Sequence, residues 1–518
     1  MKPNLKYLFF SVLTGTFLSL SLPNFFIPFA FLVGFSLWFY LMEKLDIKRV
    51  LLYSFLAGFV FSLLSFYWIV FALSYYGGLS ISVSSVLFLI FATAFSLYTF
   101  VLFTFIAKKF IDRFSTFGFF LLPFLWVFLE FLREFFPFNG FSWNLFGYML
   151  SYINQIAQIT YFTSIYGLSF LVVFFSVSFY LMFSRRDYRF VALNIFNIVL
   201  FTVLFIWGNS RINSYSDKGE YYKVAVLQGN VDESMKLKPT KEINKKIIDK
   251  YLNLLKQAKE KGADVAVLPE SALPFFPYVD SSLKYYFFDN FYKIGIPFFS
   301  GFDNVLLKED SEIDKVYNSL FLVDEYGLYV DYYSKIKLVP FGEYTPFKNK
   351  FLENIFEYLQ GIDFTKGPGQ KLLIFEKDNR KEMKVASLIC FESIFPDFVA
   401  NFVKKGANVI INVTNDGWFG KTSAPYQHFE MARVRAIENN VYLIRAANTG
   451  ISAIVNPVGS IKAYIPLYKE GIIIENVYLT EGKSFFNQHK TFLYTAFVLL
   501  FVLLVSFGMF NRKQSNII

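Results

Sequence analysis

The sequence predicts a multi-span α-helical membrane domain of eight transmembrane helices, joined to a single α/β domain outside the bilayer. Three observations carry that reading. Of 518 residues, 55% are hydrophobic and 17% charged, with a mean hydropathy of +0.42. Apolar windows of bilayer length recur on both sides of one charged middle segment. Nearly all Asp and Glu lie between about Lys218 and Lys483. Such a composition argues against an ordinary soluble globule. The 71 Phe and 34 Tyr also exclude a disordered chain, because that much apolar surface collapses out of water.

A helical crossing needs about 20 mostly apolar residues. Windows of that kind fall at 7–22, 25–42, 50–72, 81–107, 116–133, 157–183, 190–208 and 491–510. The first follows Lys2 and Lys6 in the manner of a signal peptide, but no small-x-small cleavage site follows and a second apolar run begins at once. An uncleaved helix is expected. The domains expected are therefore 1–212 with seven transmembrane helices, 220–484 outside the bilayer, and an eighth helix at 490–512.

Orientation follows from Lys and Arg in short loops, which resist translocation. One set of ends and loops carries thirteen: Lys2, Lys6, Lys44, Lys48, Arg49, Lys108, Lys109, Arg113, Arg185, Arg186, Arg189, Arg512 and Lys513. The opposite short connections carry only Arg133 and Arg211. Both termini are expected in the cytoplasm and the charged middle outside, which is the periplasm in a diderm bacterium, with the whole chain in the inner membrane. Glu43, Asp46, Asp112 and Asp187 accompany the thirteen cations, so this side holds +9 of the net +10. The basicity is thus a topology signal, and no nucleic-acid partner is expected from it.

Within 220–484, short β-rich apolar runs alternate with polar helical stretches, the pattern of an α/β sheet layered with helices. Strands are predicted at Lys223–Leu227, Asp264–Leu268, Pro297–Gly301, Leu328–Tyr333, Val385–Leu388, Val409–Val413 and Val441–Arg445. Ile243, Ile247, Ile248, Tyr251, Leu252, Leu255 and Ala258 have helical spacing inside the lysine-rich Thr240–Lys261 stretch, so one face packs and the other is solvated.

The chain has two histidines, His428 and His489, which supplies a multi-histidine metal site or a Ser-His-Asp triad poorly, and no metal or cofactor is expected. Its one cysteine, Cys390, can form no intrachain disulfide. Cys390 ends the apolar run Val385–Ile389. A nucleophile on a strand-to-helix turn presents its side chain at the sheet edge, with the next backbone N–H available to an oxyanion. A lone strand cysteine is more often a small buried hydrophobe. Glu270 ends another buried-type run, Val265–Pro269, where a carboxylate is either solvated or partnered. Lys335 and Lys337 share strand parity, so alternation does not decide which points inward.

The ordered set Leu268-Pro269-Glu270, Lys335 before Leu338-Val339-Pro340-Phe341-Gly342-Glu343, and Ile389-Cys390-Phe391-Glu392 resembles the Glu-Lys-Cys triad of the nitrilase superfamily. More narrowly, the chain resembles the membrane-bound apolipoprotein N-acyltransferase family. Further similarity lies in Gln228-Gly229-Asn230, Tyr317-Asn318-Ser319, Asn415–Gly420, Gln427–Arg433, Gly140–Asn144 and Tyr166–Phe170. Ser142 stands where that family usually has proline, and Leu237 where many members carry tryptophan. The resemblance implies eight spans, with a nitrilase-like αββα sandwich between the seventh and eighth. It also places the family's lysine on Lys335.

The residue types then permit acyl transfer through a thioester, since a thiolate attacks well and leaves readily. Glu270 is expected as general base and Lys335 as the cation favouring thiolate. Lys335 and the Phe391 N–H are expected at the oxyanion, with Glu343 orienting Lys335 or its neighbours and Glu392 either a supporting carboxylate or an ordinary helix-start acid. The resemblance implies a phospholipid acyl donor and, as acceptor, the N-terminal amine of a diacylglyceryl-modified lipoprotein. A membrane-tethered amidase would use the same triad with water as acceptor. Aromatic stretches at Leu273–Tyr278 and Phe347–Leu359 suit either lids or internal packing surfaces, and Trp418–Phe419 is the stronger lid candidate, with Trp418, Phe419 and Gly420 as a substrate loop.

Overall fold

In the computed structural model, residues 4–237, 239–309, 312–346 and 363–515 are described. They divide into two compact units, one formed by Met1–Val70, Ile81–Ser214 and Gln488–Ile518, the other by Phe71–Ser80 and Tyr215–Asn487.

The first unit is helical, and each of the eight predicted windows overlaps a helix. Among the described residues five helices are long and apolar enough to cross a membrane: Ile47–Ser65, Ile81–Phe114, Thr160–Arg185, Tyr188–Ser214 and Phe485–Met509. Leu5–Leu20, Ala30–Lys44 and Thr116–Leu132 are shorter. The Tyr188–Ser214 helix buries only 6% of its most apolar window, so its side chains suit hydrocarbon rather than a protein core. Inside the unit the packing is aromatic, with Trp38, Phe100 and Phe146 each in ring contact with Trp126. Among these rings Glu130 accepts from the Trp126 indole at 2.9 Å and from the Phe146 N–H at 2.6 Å.

The second unit has twelve strands among its described residues. They are β1 (Tyr221–Gln228), β2 (Val265–Val267), β3 (Phe298–Leu307), β4 (Ile313–Val323), β5 (Tyr329–Ser334), β6 (Leu372–Phe375), β7 (Met383–Ile389), β8 (Val409–Thr414), β9 (Tyr442–Ala447), β10 (Ser452–Val455), β11 (Ile461–Ile465) and β12 (Gly471–Tyr478). One sheet has the order β12-β1-β2-β3-β4-β5 and the other β11-β10-β9-β8-β7-β6. Both have a parallel centre, β1-β2-β3 and β7-β8-β9, flanked by antiparallel neighbours.

Of these central strands β2, β8 and β9 are buried throughout, which explains the continuous apolar runs Val265-Ala266-Val267 and Val409-Ile410-Ile411 in place of alternation. Ala225, Leu227, Ala266, Leu268, Phe298 and Phe302 form one core with the inner face of helix Lys241–Glu260 and with Phe287 and Phe291 of helix Ser282–Phe291. The other face of this sheet meets the second sheet through β1 against β9 and β4 against β7. Helices Pro396–Lys404 and Ala424–Asn439 cover the second sheet from outside. The layering is helix, sheet, sheet, helix, and all seven predicted strands lie in it.

Helix Lys241–Glu260 starts where its cap requires: the Thr240 hydroxyl accepts from the Ile243 N–H at 3.2 Å. Its buried Ile247, Ile248, Tyr251, Leu252, Leu255 and Ala258 are six of the seven positions that the spacing picked out.

Candidate active site

Cys390, Glu270 and Lys335 each follow the carboxyl end of a strand, β7, β2 and β5 respectively, and the sandwich brings those ends together. In α/β sheets this is the edge where ligands bind. Cys390 has φ +50°, a left-handed conformation that strains a residue with a Cβ by about 1–3 kcal/mol. The chain then turns through a 3-10 segment, Cys390–Ile394, and enters the Pro396–Lys404 helix with proline in its first turn. The preceding Ile389 is fully buried, whereas Cys390 is half-buried, so the turn lifts the thiol out of the core.

Glu270 follows Pro269, which has no N–H to extend β2. The backbone there lies directly on β3: a Cβ at Gly301 would sit 2.6 Å from the Glu270 Cα, so only glycine permits the approach. The Gly301 N–H donates to the Pro269 carbonyl at 3.1 Å. Glu270 Oε1 accepts from the Asn318 amide at 2.7 Å and Oε2 from the Asn415 N–H at 2.9 Å. Lys335 is the inward lysine, 1% exposed. Lys337 instead lays its ammonium over the Phe395 ring at 4.5 Å.

The Lys335 ammonium donates to Glu343 Oε1 at 2.7 Å and lies 3.5 Å from Glu270 Oε1. Asn318 ties the two carboxylates by also donating to Glu343 Oε1 at 3.1 Å. One buried cation thus faces two carboxylates and a thiol. Burial works to lower the Lys335 pKa, but Glu343 and Glu270 carry it above the ordinary lysine value. Burial, with the Glu343 charge, pushes Glu270 up against the pull of Lys335. Burial and Glu270 likewise push the Cys390 thiol up, and Lys335 opposes them. Burial and the Glu270 charge thus favour the neutral thiol, and Lys335 favours the thiolate.

Glu392 is a buried clamp. Its Oε1 accepts from the Tyr333 hydroxyl at 2.8 Å and from the Ile336 and Lys337 N–H groups at 2.7 and 3.1 Å, while Oε2 accepts from the Ile389 N–H at 2.9 Å. It joins the segment after Lys335 to the residue before Cys390. Burial pushes it up to about 7 against those donors. Glu392→Gln places an amide N–H against one of them, and an expected loss of about 1–3 kcal/mol is checked by comparing melting temperatures with wild type.

The substrate loop expected from sequence is a 3-10 turn, Asp416–Phe419, with Trp418 38% exposed. Gly420 has φ +59° and the Phe71 ring lies where its Cβ would be, so a side chain there is excluded twice. The lid expectation for Leu273–Tyr278 is corrected in part: Leu273 and Phe275 belong to the hydrophobic core, and Phe276 and Tyr278 are exposed. Phe347–Leu359 lies outside the described residues. Sequence reading gave no role to Asn318, Asn415, Asp416, His428 or Arg445, all buried around the triad. Asn318 and Asn415 had a signal in the motifs that contain them, but their partners lie 48 and 145 residues away.

The family described as Carbon-nitrogen hydrolase matches residues 223–484, and Apolipoprotein N-acyltransferase N-terminal domain matches residues 14–178. An apolipoprotein N-acyltransferase of Geobacter metallireducens is 33% identical over 94% of this chain and 92% of its own length. One of Aquifex aeolicus is 31% identical over 83% and 91%. A solved amidase from Nesterenkonia sp. is 19% identical, covering 50% of this chain and 92% of its own, with a TM-score of 0.37.

Proposed function

The chain belongs to the apolipoprotein N-acyltransferase family, membrane enzymes of lipoprotein N-acylation, and from that premise we propose the route and the residues by which it acts. The donor is a membrane phospholipid and the acceptor the free N-terminal amine of a diacylglyceryl-cysteine. Glu270 takes the Cys390 proton as the sulfur attacks the ester carbonyl. Lys335 and the Phe391 N–H receive the oxyanion. The lysophospholipid alkoxide leaves with the proton held by Glu270, and the acyl chain remains as a thioester. The amine then attacks, Glu270 takes its proton, and the thiolate departs to be reprotonated.

The observation that carries this reading is the half-buried thiol on a strained turn, with its ionisation governed by Glu270 and Lys335. Trp418, Phe419 and Gly420 line the acyl or peptide path. Residues 1–212 supply seven crossings and 490–512 the eighth. Both termini are cytoplasmic and 220–484 is periplasmic in the inner membrane, a placement supported by the one-sided Lys and Arg of the short loops.

The test is intact mass after incubation with phospholipid vesicles. An acyl increment is expected on wild type and is expected to disappear on adding a diacylglyceryl-cysteinyl peptide, which gains it. An increment persisting in Cys390→Ala overturns the assignment. Free fatty acid without acylated peptide indicates hydrolysis instead of transfer.

A further inference from the structure

The nucleophile's backbone is held from behind by a buried polar chain that the acyl-transfer chemistry does not use. His428, on the Ala424–Asn439 helix, is fully buried, and its Nε2 lies 3.1 Å from the Cys390 carbonyl oxygen and 3.1 Å from the Ser393 hydroxyl. That hydroxyl is itself 3.0 Å from the same carbonyl. On the other side of the ring, Nδ1 is 2.8 Å from Asp416 Oδ1. Asp416 is fixed in turn by the Thr414 hydroxyl at 2.9 Å and by Arg445, whose Nη2 donates to Oδ2 at 2.8 Å. Arg445 also donates to the Asn412 side chain, and Asn412 to the Leu388 carbonyl at 3.3 Å. At Gly450 a Cβ would meet Asp416 Oδ2 at 2.4 Å, which leaves the carboxylate little room to move.

We propose that His428 is a positioning residue: anchored through Asp416 and Arg445, its ring fixes the Cys390 carbonyl and so holds the nucleophile in the left-handed conformation that presents the thiol. A left-handed residue with a Cβ persists only when its surroundings over-determine it. Here the ring, the Ser393 hydroxyl and, at 3.5 Å, the Asn412 amide converge on the carbonyl. Asp416 is ionised, held well below the usual carboxylate range by Arg445 and His428 in spite of its burial, so Nδ1 carries a proton toward it. Nε2 faces the carbonyl oxygen, an acceptor, so it holds that oxygen as an N–H donor: burial and the Arg445 charge oppose this second ring proton, and Asp416 and the carbonyl itself favour it.

The two ring nitrogens can be tested separately. A glutamine amide reaches the position of Nε2, and an asparagine amide only that of Nδ1. Because the chain has one cysteine, the mass gained from iodoacetamide reports Cys390 alone. The expected result, in full-length protein in lipid nanodiscs, is that His428→Gln keeps most of the wild-type alkylation rate. His428→Asn is expected to be slower by up to about a hundredfold, the scale of a misplaced reacting group. Equal rates for the two variants overturn the inference, as does a wild-type rate in His428→Phe. Melting temperatures identify a variant that fails to fold, and rescue by glutamine is not expected of a residue that merely fills space. The inference rests on Cys390 as the acylated nucleophile only for its effect on turnover. If the alkylation pattern holds but no thioester forms even in wild type, the positioning role stands and the acyl-transfer assignment fails.

Discussion

Cys390→Ala is expected to reduce acyl transfer by more than about 10⁴-fold while leaving the protein folded. No other thiol exists to take over. Neighbouring carboxylates do not substitute: Glu270 and Glu343 are tied to Lys335 and Asn318, and a carboxylate acylated there would lose the charge balance of the site. Stability should change by less than about 1 kcal/mol, since the substitution removes one atom and the hydrogen bonds of the turn go to the backbone of Cys390. Cys390→Ser is the sharper variant. Its hydroxyl is a far poorer acid, and a Glu270 carboxylate that already draws on Lys335 must deprotonate it in the same buried setting. Transfer to a fluorescent diacylglyceryl peptide, with thermal melting as the control, measures both. Residual activity within tenfold of wild type in either variant would place the nucleophile elsewhere.

The candidate site was legible in the sequence to the extent that Glu270 and Cys390 stand next to apolar runs. Val265–Leu268 points to Glu270 and Val385–Ile389 to Cys390, because a buried strand must end somewhere and a polar residue at its mouth is conspicuous. Lys335 was not separable from Lys337 by alternation. The fold separates them by seating one ammonium between two carboxylates and the other over an aromatic ring. What the sequence could not display is anything made by juxtaposition. Asn318 matters because β4 pairs with β3, setting Asn318 opposite Asp303 and close to the end of β2. His428 matters because a helix packed outside the second sheet turns one ring toward a carbonyl.

The strands that were missed have a similar cause. They are β4, β6, β10, β11 and β12: β4 begins with Ile313-Asp314-Lys315, where charge hides the run, β6 and β10 have only four residues each and β11 five, and Glu475 and Asn476 interrupt β12. They are strands because neighbours supply their hydrogen bonds, a tertiary effect that local propensity does not encode. The helical unit was legible for the opposite reason. Hydrocarbon demands an apolar surface from each helix singly, so every window shows itself without reference to its partners.

Removing the charge of Glu270 should be nearly as damaging as removing the thiol, and it carries a pH signature. Glu270→Gln keeps the shape and one of the two hydrogen bonds from Asn318 and Asn415, but it has no lone pair able to hold a proton in transit. A loss of about 10²–10⁴-fold in kcat/KM is expected, the usual contribution of a general base. Wild type should show an acid limb that the variant lacks. Burial and the Glu343 charge raise the Glu270 pKa above its ordinary 4.5, so the base is protonated and inactive at low pH and the rate climbs as pH rises through that raised value. The same shift acts oppositely on stability. The folded state binds this proton more tightly than the unfolded chain does, so its contribution is full below the unfolded pKa and is lost as pH rises through the folded one. Activity should therefore rise over the range in which wild-type stability falls relative to Glu270→Gln. A pH–rate profile with a soluble acyl-donor ester, paired with melting curves at each pH, checks both directions. If the acid limb survives in Glu270→Gln, the proton is taken by another group, and Glu270 is left with only the structural task of seating Lys335.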